Sequence, residues 1–208
     1  MDITYLGAGS VKLAGRNITV VCDPQPGTKA KAEVVTWSSD VREGEGTVFT
    51  KLGEAMLIDG PGEYEVKGAM ITGVPARLHM DESGSRGTVY SVEIDGVNVV
   101  VTGNIAGKLD ENQVENLGQV DVLVVPVGGG GLTLDAEGAA AVVTQLEPGY
   151  VVPVHYDDGV TKYSVPQAGV EGFLKEMGAS PEPQAKLKIN TKEAPAETQV
   201  VVLTRSGS

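Results

Sequence analysis

Short apolar runs separated by glycine, proline and aspartate turns make up most of the chain. Such runs are typical of strands that are buried on both faces. The pattern predicts strands near residues 2–6, 10–14, 17–22, 33–37, 47–50, 54–58, 63–74, 88–94, 97–102, 185–190 and 198–204. Between two of these runs, the dipeptide Asp95-Gly96 predicts the tight turn of a β-hairpin.

Three longer segments in the second half of the chain predict helices near 110–117, 134–146 and 166–177. The second helix has Thr133 or Asp135 as its N-cap and ends before a Pro-Gly pair. Together, the strands and helices predict one mixed α/β domain over residues 1–204, followed by a tail at 205–208.

Composition narrows the classes of function. The chain of 208 residues is short enough for one hydrophobic core. Its net charge of −12, with scattered basic residues, argues against a nucleic-acid partner. We expect no membrane partner, because no apolar run is long enough to span a bilayer. Without a secretory signal pattern at the start, a cytoplasmic location is expected.

One loop carries the most specific motif. The segment from Thr36 to Gly44 follows an apolar run and resembles the loop Thr-x-Ser-His-x-His-x-Asp-His of the metallo-β-lactamase superfamily, which holds one or two catalytic metals. Further stretches follow in the family's order: 1–7, 10–13, 20–24, 60–66, 71–75, 99–104, 120–129 and 150–156. The chain is similar to the branch that contains ascorbate-phosphate lactonases and uncharacterised metal-dependent hydrolases. This resemblance implies a four-layer αββα sandwich of α/β (α+β) class.

The resemblance also locates the former metal ligands, and most of them are replaced. The family's ligand positions fall on Ser39, Val41, Glu43, Gly44, Leu78, Asn104 and His155. Among these, only His155 retains an imidazole. If the loop alignment shifts by one residue, His79 takes the place of Leu78.

Ligand chemistry then determines the expected function. Catalytic zinc sites usually have three protein ligands and an open water position, whereas valine and glycine offer no side-chain donor. We therefore expect no metal and no other cofactor, and we count His155, His79 and Glu43 only as weak metal candidates. The expected function is a catalytically inactive module that binds an unknown small molecule or protein.

Two enzymatic alternatives stay open at this point. The first is a zinc- or manganese-dependent hydrolase of phosphorylated lactones or esters, with a relocated site that uses His79, His155, Glu43 and Asp81. The second is a metal-independent hydrolase in which Ser39 is the nucleophile and His155 the base, with Asp40 or Glu43 orienting the imidazole.

The glycine run from Gly128 to Gly131 lacks the Lys-Ser/Thr that follows a phosphate-binding loop, so we interpret it as a structural turn. Related enzymes often assemble from identical subunits, which leaves a homo-oligomer open, although no stretch identifies an interface.

Overall fold

The structure, a computed structural model, describes residues 1–39, 54–79, 87–190 and 195–206. The strands are β1 Asp2–Gly7, β2 Ser10–Ala14, β3 Thr19–Cys22, β4 Val34–Thr36, β5 Met56–Ile58, β6 Gly62–Val66, β7 Ala69–Ala76, β8 Gly87–Ile94, β9 Val97–Val101, β10 Val122–Pro126, β11 Tyr150–Val154, β12 Leu187–Lys188 and β13 Gln199–Val200. The helices are α1 Glu111–Leu117, α2 Ala136–Leu146 and α3 Glu171–Glu176.

These strands form two sheets. The first has the order β12-β1-β2-β3-β4-β5, and the second has the order β13-β11-β10-β9-β8-β7-β6. Parallel pairs join β3 with β4 in the first sheet and β9, β10 and β11 in the second. The two sheets with helices confirm the predicted fold class.

The main core lies between the sheets. In β1, the inward-facing residues Ile3 and Tyr5 are buried while their neighbours are partly exposed, as alternation along a strand requires. Val92 and Val152 of the second sheet belong to the same buried cluster. A second cluster joins the other face of that sheet to the helices, and it includes Phe173 of α3, which is fully buried.

Several predicted boundaries differ from the observed ones. The predicted strand 63–74 is two strands, because Lys67 and Gly68 both have positive φ and form a hairpin turn. The third helix starts at Glu171, because the segment before it forms hydrogen bonds with other loops: the Ala168 amide donates to the Gly128 carbonyl at 2.8 Å. The predicted strand 47–50 lies outside the described residues.

Residues 205 and 206 contact the domain. Arg205 and Ser206 belong to the predicted tail, but the Ser206 amide donates to the Tyr5 carbonyl at 2.8 Å. The Arg205 guanidinium donates to Thr161 Oγ1 at 3.3 Å. Among the described helices, none is long and apolar enough to cross a membrane.

Candidate functional site

A pocket of about 320 Å³ lies where parallel strands of both sheets end. Asp23 follows β3, Ser38 and Ser39 follow β4, and Asn104 follows β9. His155 follows β11 directly. The carboxyl ends of parallel strands are where α/β sheets commonly bind ligands, so this pocket is the candidate site.

His155 is held in an unusual backbone position at this pocket. Its φ is +51°, and its amide donates to the Ala8 carbonyl at 2.7 Å. The ring nitrogen Nδ1 lies 3.2 Å from Gln167 Oε1, and the ring packs against Tyr163 with centroids 4.7 Å apart. Burial lowers the pKa of His155, although the hydrogen bond with Gln167 partly opposes this shift. The imidazole is therefore neutral at neutral pH.

Asp23 and Ser38 also line the pocket and are bonded to each other. The Asp23 carboxylate accepts hydrogen bonds from the Ser38 amide at 2.7 Å and from Ser38 Oγ at 2.9 Å. Burial raises the pKa of Asp23 to about 6, and the two bonds from Ser38 limit that rise. The turn after β4 is thus fixed by a carboxylate that titrates near neutral pH.

The remaining predicted positions divide between the pocket and the undescribed part of the chain. Ser39, Leu78, His79, Asn104 and His155 all line the pocket. The His79 amide donates to the Asn104 carbonyl at 2.9 Å, so the two predicted hairpin positions lie beside the end of β9.

Four other candidates lie outside the described residues: Val41, Glu43, Gly44 and Asp81. Asp40, the other carboxylate considered for orienting a base, is also outside them.

The donor set of the described residues does not complete a metal site. Asp23, His79 and His155 have ligand-type side chains and line the pocket. Nevertheless, within residues 1–39, 54–79, 87–190 and 195–206, no group of three or more His, Cys, Asp or Glu side chains lies close enough to hold a metal ion.

The described residues show one partner of the His155 imidazole, and both carboxylates of the predicted Ser/His arrangement lie outside these residues. The described partner of His155 Nδ1 is the neutral amide of Gln167, whereas the serine-hydrolase alternative assigned Asp40 or Glu43 to orient this imidazole. In a catalytic triad, a carboxylate at this place stabilises the imidazolium that forms during attack. An amide cannot supply that charge.

Sequence reasoning missed three residues of the site, namely Asp23, Tyr163 and Gln167. The apolar strand that ends in Asp23-Pro24 is a usable signal, because the same strand-end position supplies other pocket residues. Tyr163 and Gln167 have no local signal, since their partner His155 is identified only by the folded chain.

The chain is similar to known proteins in sequence and in fold. The family model described as "Beta-lactamase superfamily domain" matches residues 2–155. A crystal structure from Thermotoga maritima, of a protein proposed to be a Zn-dependent hydrolase of the metallo-β-lactamase superfamily, is 32% identical, with 98% of each chain covered and a TM-score of 0.79.

Two curated relatives are named UPF0173 metal-dependent hydrolase. The protein from Thermococcus onnurineus is 36% identical over 101 residues, which cover 46% of this chain and 44% of that protein. The chain thus matches less than half the length of this relative. The protein from Natranaerobius thermophilus is 23% identical over 189 residues, covering 76% of this chain and 84% of that protein.

These relatives contradict two expectations from the sequence. A non-catalytic binding module was expected, yet the relatives are named hydrolases. The expectation of no cofactor is also wrong, because the same names specify metal dependence or zinc dependence. Both expectations assumed that the ligand positions of the motif loop decide the function.

Proposed function

The chain belongs to the β-lactamase superfamily, and from this premise we propose that it is a hydrolase whose activity depends on a divalent metal ion. The observation that carries the proposal is His155, a neutral imidazole at the end of β11 that lines the pocket between the two sheets. The relatives named metal-dependent hydrolases support this assignment.

The proton chemistry of hydrolysis falls to His155. A neutral imidazole can accept a proton from an attacking water and return it to the leaving group. Burial keeps the pKa of His155 below its ordinary value, so the base form persists at neutral pH. Nearby, the Asn104 amide and the Ser39 hydroxyl are neutral polar groups that can bind the substrate.

The metal requirement is proposed from the relatives, and the described pocket does not by itself satisfy it. His79 and His155 are the described imidazoles of the pocket. Glu43 and Asp81, the carboxylates of the relocated-site hypothesis, lie outside the described residues. We therefore derive no catalytic step through a metal ion.

The substrate class proposed is a small phosphorylated lactone or ester. The resemblance to the lactonase branch suggests it, and the volume of about 320 Å³ suits a small molecule. Lys162 lies on the pocket wall and is a cation that a phosphate group would meet.

Hydrolysis assays test the proposal directly. The purified chain would be incubated with a panel of lactones and esters, with and without their phosphate groups, after addition of zinc or manganese and again after chelation. We expect hydrolysis that chelation abolishes, and a loss of at least tenfold in kcat/KM for His155→Ala. Because the reaction uses pocket residues, Thr144→Ala on the exposed face of α2 should retain full activity.

Metal content gives the second measurement. Plasma mass spectrometry of the desalted protein should find about one equivalent of retained zinc or manganese, and less in His79→Ala. Absence of both retained metal and hydrolysis across the panel would overturn the proposal. Hydrolysis that survives chelation would refute the metal requirement alone.

A further inference from the structure

We infer that Gln167 is a positioning residue that keeps His155 in the Nδ1–H tautomer, so that Nε2 presents its lone pair to the pocket. This inference rests on the proposed function for its importance, because a base or a ligand nitrogen must be unprotonated. Four observations lead to it, beginning with the amide of Gln167.

The orientation of the Gln167 amide is fixed by two carbonyl groups. Its Nε2 lies 3.3 Å from the Val165 carbonyl and 3.3 Å from the Pro166 carbonyl. An amide nitrogen donates two hydrogen bonds, and an amide oxygen only accepts. Exchanging the two atoms would place Oε1 against two other acceptors, so the nitrogen must face these carbonyls.

The orientation of the amide then determines the tautomer of the imidazole. With Nε2 turned toward the backbone, Oε1 faces His155 Nδ1 at 3.2 Å. Because Oε1 is an acceptor, Nδ1 must carry the proton. A neutral imidazole has one N–H, so Nε2 is left as the acceptor nitrogen.

Close backbone approach holds Gln167 in this place. A Cβ atom at Gly128 would lie 2.6 Å from Gln167 Oε1, and one at Gly130 would lie 2.7 Å from its Nε2. Gln167 is only 9% exposed, and the next residue, Ala168, donates its amide to the Gly128 carbonyl at 2.8 Å. The absence of side chains at Gly128 and Gly130 therefore leaves the space that the Gln167 side chain occupies.

The edge of the imidazole that carries Nε2 is not bonded to Gln167. His155 lines the pocket, and the ring of Tyr163 packs against it at an interplanar angle of 39°. Across the described ranges, the structure gives Nε2 no hydrogen-bond partner. Its lone pair is thus available to accept a proton, as the general base of the proposed hydrolysis must do.

Nitrogen-15 NMR of the imidazole rings reads the tautomer directly. The chain contains two histidines, His79 and His155, so a two-bond ¹H–¹⁵N spectrum contains two ring patterns, and His79→Ala assigns them. On the chelated, metal-free full chain at neutral pH, we expect a protonated Nδ1 and an unprotonated Nε2 for His155. A protonated Nε2 in the wild-type protein would overturn the inference.

A pair of matched variants tests whether Gln167 is the cause. Gln167→Leu removes the acceptor and should move both ring frequencies of His155 toward those of a tautomer mixture. The control is Gln145→Leu. The side-chain amide of Gln145 is also hydrogen-bonded, but to the backbone of Leu109, which is distant in sequence. An unchanged His155 pattern in folded Gln167→Leu would refute the positioning role; if that variant does not fold, the wild-type spectrum still decides.

The NMR experiment tests the tautomer of His155, and the activity assay tests the proposed function, so either hypothesis can be refuted without the other. The tautomer is measured without substrate and without metal, so a protein that hydrolyses nothing can still show the Nδ1–H form. That outcome would sink the proposed function and leave the inference intact. Conversely, an active hydrolase with protonated Nε2 would overturn only the inference.

Discussion

Asp23 is a buried carboxyl group whose charge state changes close to neutral pH. Asp23 lies at the end of β3 and has a backbone φ of +47°. Its carboxylate accepts the two hydrogen bonds from Ser38. Burial raises its pKa from the ordinary value of 3.8 to about 6. In the unfolded chain, the same carboxyl returns to its ordinary pKa.

We predict that this shift makes the folded state lose stability as pH rises from about 4 to about 7. Between the two pKa values, the folded state keeps the proton that the unfolded state has lost, so folding takes up a proton and each step upward in pH weakens it. The full shift corresponds to about 3 kcal/mol. Urea unfolding of the wild type and of Asp23→Asn across this range isolates the effect, because asparagine does not titrate.

The comparison with Asp23→Asn also removes the contribution of other groups. The stability of the wild type relative to the variant should fall between about pH 4 and pH 7 and then level off. A difference that stays constant across this range would show that Asp23 is ionised throughout. The ordinary acid response of the surface carboxylates cancels in the difference.

At the residue scale, the sequence predicted the positions that a motif marks and missed those that only folding brings together. His155 and Asn104 were found because they end apolar strands in the family's order. Gln167 was missed, because its contact with His155 spans 12 residues and no motif marks Gln167 itself. The role of the predicted pocket residues stays a prediction.

Among the elements, the loop after β11 contributes residues 161–164 to the pocket wall and is held by several hydrogen bonds. Asp158 Oδ1 accepts from the Val160 amide at 3.0 Å and from the Thr161 amide at 2.6 Å, and Oδ2 accepts from Thr161 Oγ1 at 2.9 Å. Arg205 approaches the same carboxylate at 3.9 Å. The loop that presents Thr161 to Ser164 is therefore anchored at its base.

Asp158→Ala should destabilise the protein by about 1–3 kcal/mol, because it leaves two backbone amides of a tight turn without an acceptor. The carboxylate is only 9% exposed, so water replaces it poorly. Urea unfolding measures the loss. Asp158→Asn keeps an acceptor oxygen and should cost less than half as much; an equal cost would assign the effect to the charge and to Arg205 instead.

Element boundaries show where local pattern suffices. The hairpin at Asp95-Gly96 is confirmed, since both residues have positive φ and the flanking Ile94 and Val97 pair. The start of α3 was predicted several residues early, because apolar spacing cannot show that Gln167 and Ala168 are bonded to another loop. Tertiary hydrogen bonds decided that boundary.

On the scale of the whole molecule, the fold was predictable because it depends on many strands in one order. Each apolar run is ambiguous alone, but a two-sheet arrangement can bury most of them together, and the strands that the structure describes form two sheets. The function was predicted wrongly from the same chain. That function was inferred mainly from the replaced ligand positions in the loop after Ser39, and less from the pocket as a whole. The relatives named hydrolases contradict the inference.

The two sheets are linked by a buried hydroxyl close to this pocket. Tyr90 belongs to β8 of the second sheet and is fully buried. Its hydroxyl lies 3.1 Å from the Trp37 carbonyl and 3.2 Å from the Ile58 carbonyl, both at the edge of the first sheet. Trp37 directly precedes Ser38, so this hydroxyl also stabilises the segment after β4 that lines the pocket.

Tyr90→Phe should therefore cost about 1–2 kcal/mol of unfolding free energy, the value of a buried hydrogen bond whose acceptors stay in place. The matched control is Tyr64→Phe on the edge strand β6, because the Tyr64 hydroxyl forms no hydrogen bond within the ranges that the structure describes. That change should stay within about 0.5 kcal/mol. Urea unfolding of both variants decides the matter: equal losses would mean that the bond between the sheets adds nothing beyond the general effect of removing a hydroxyl group.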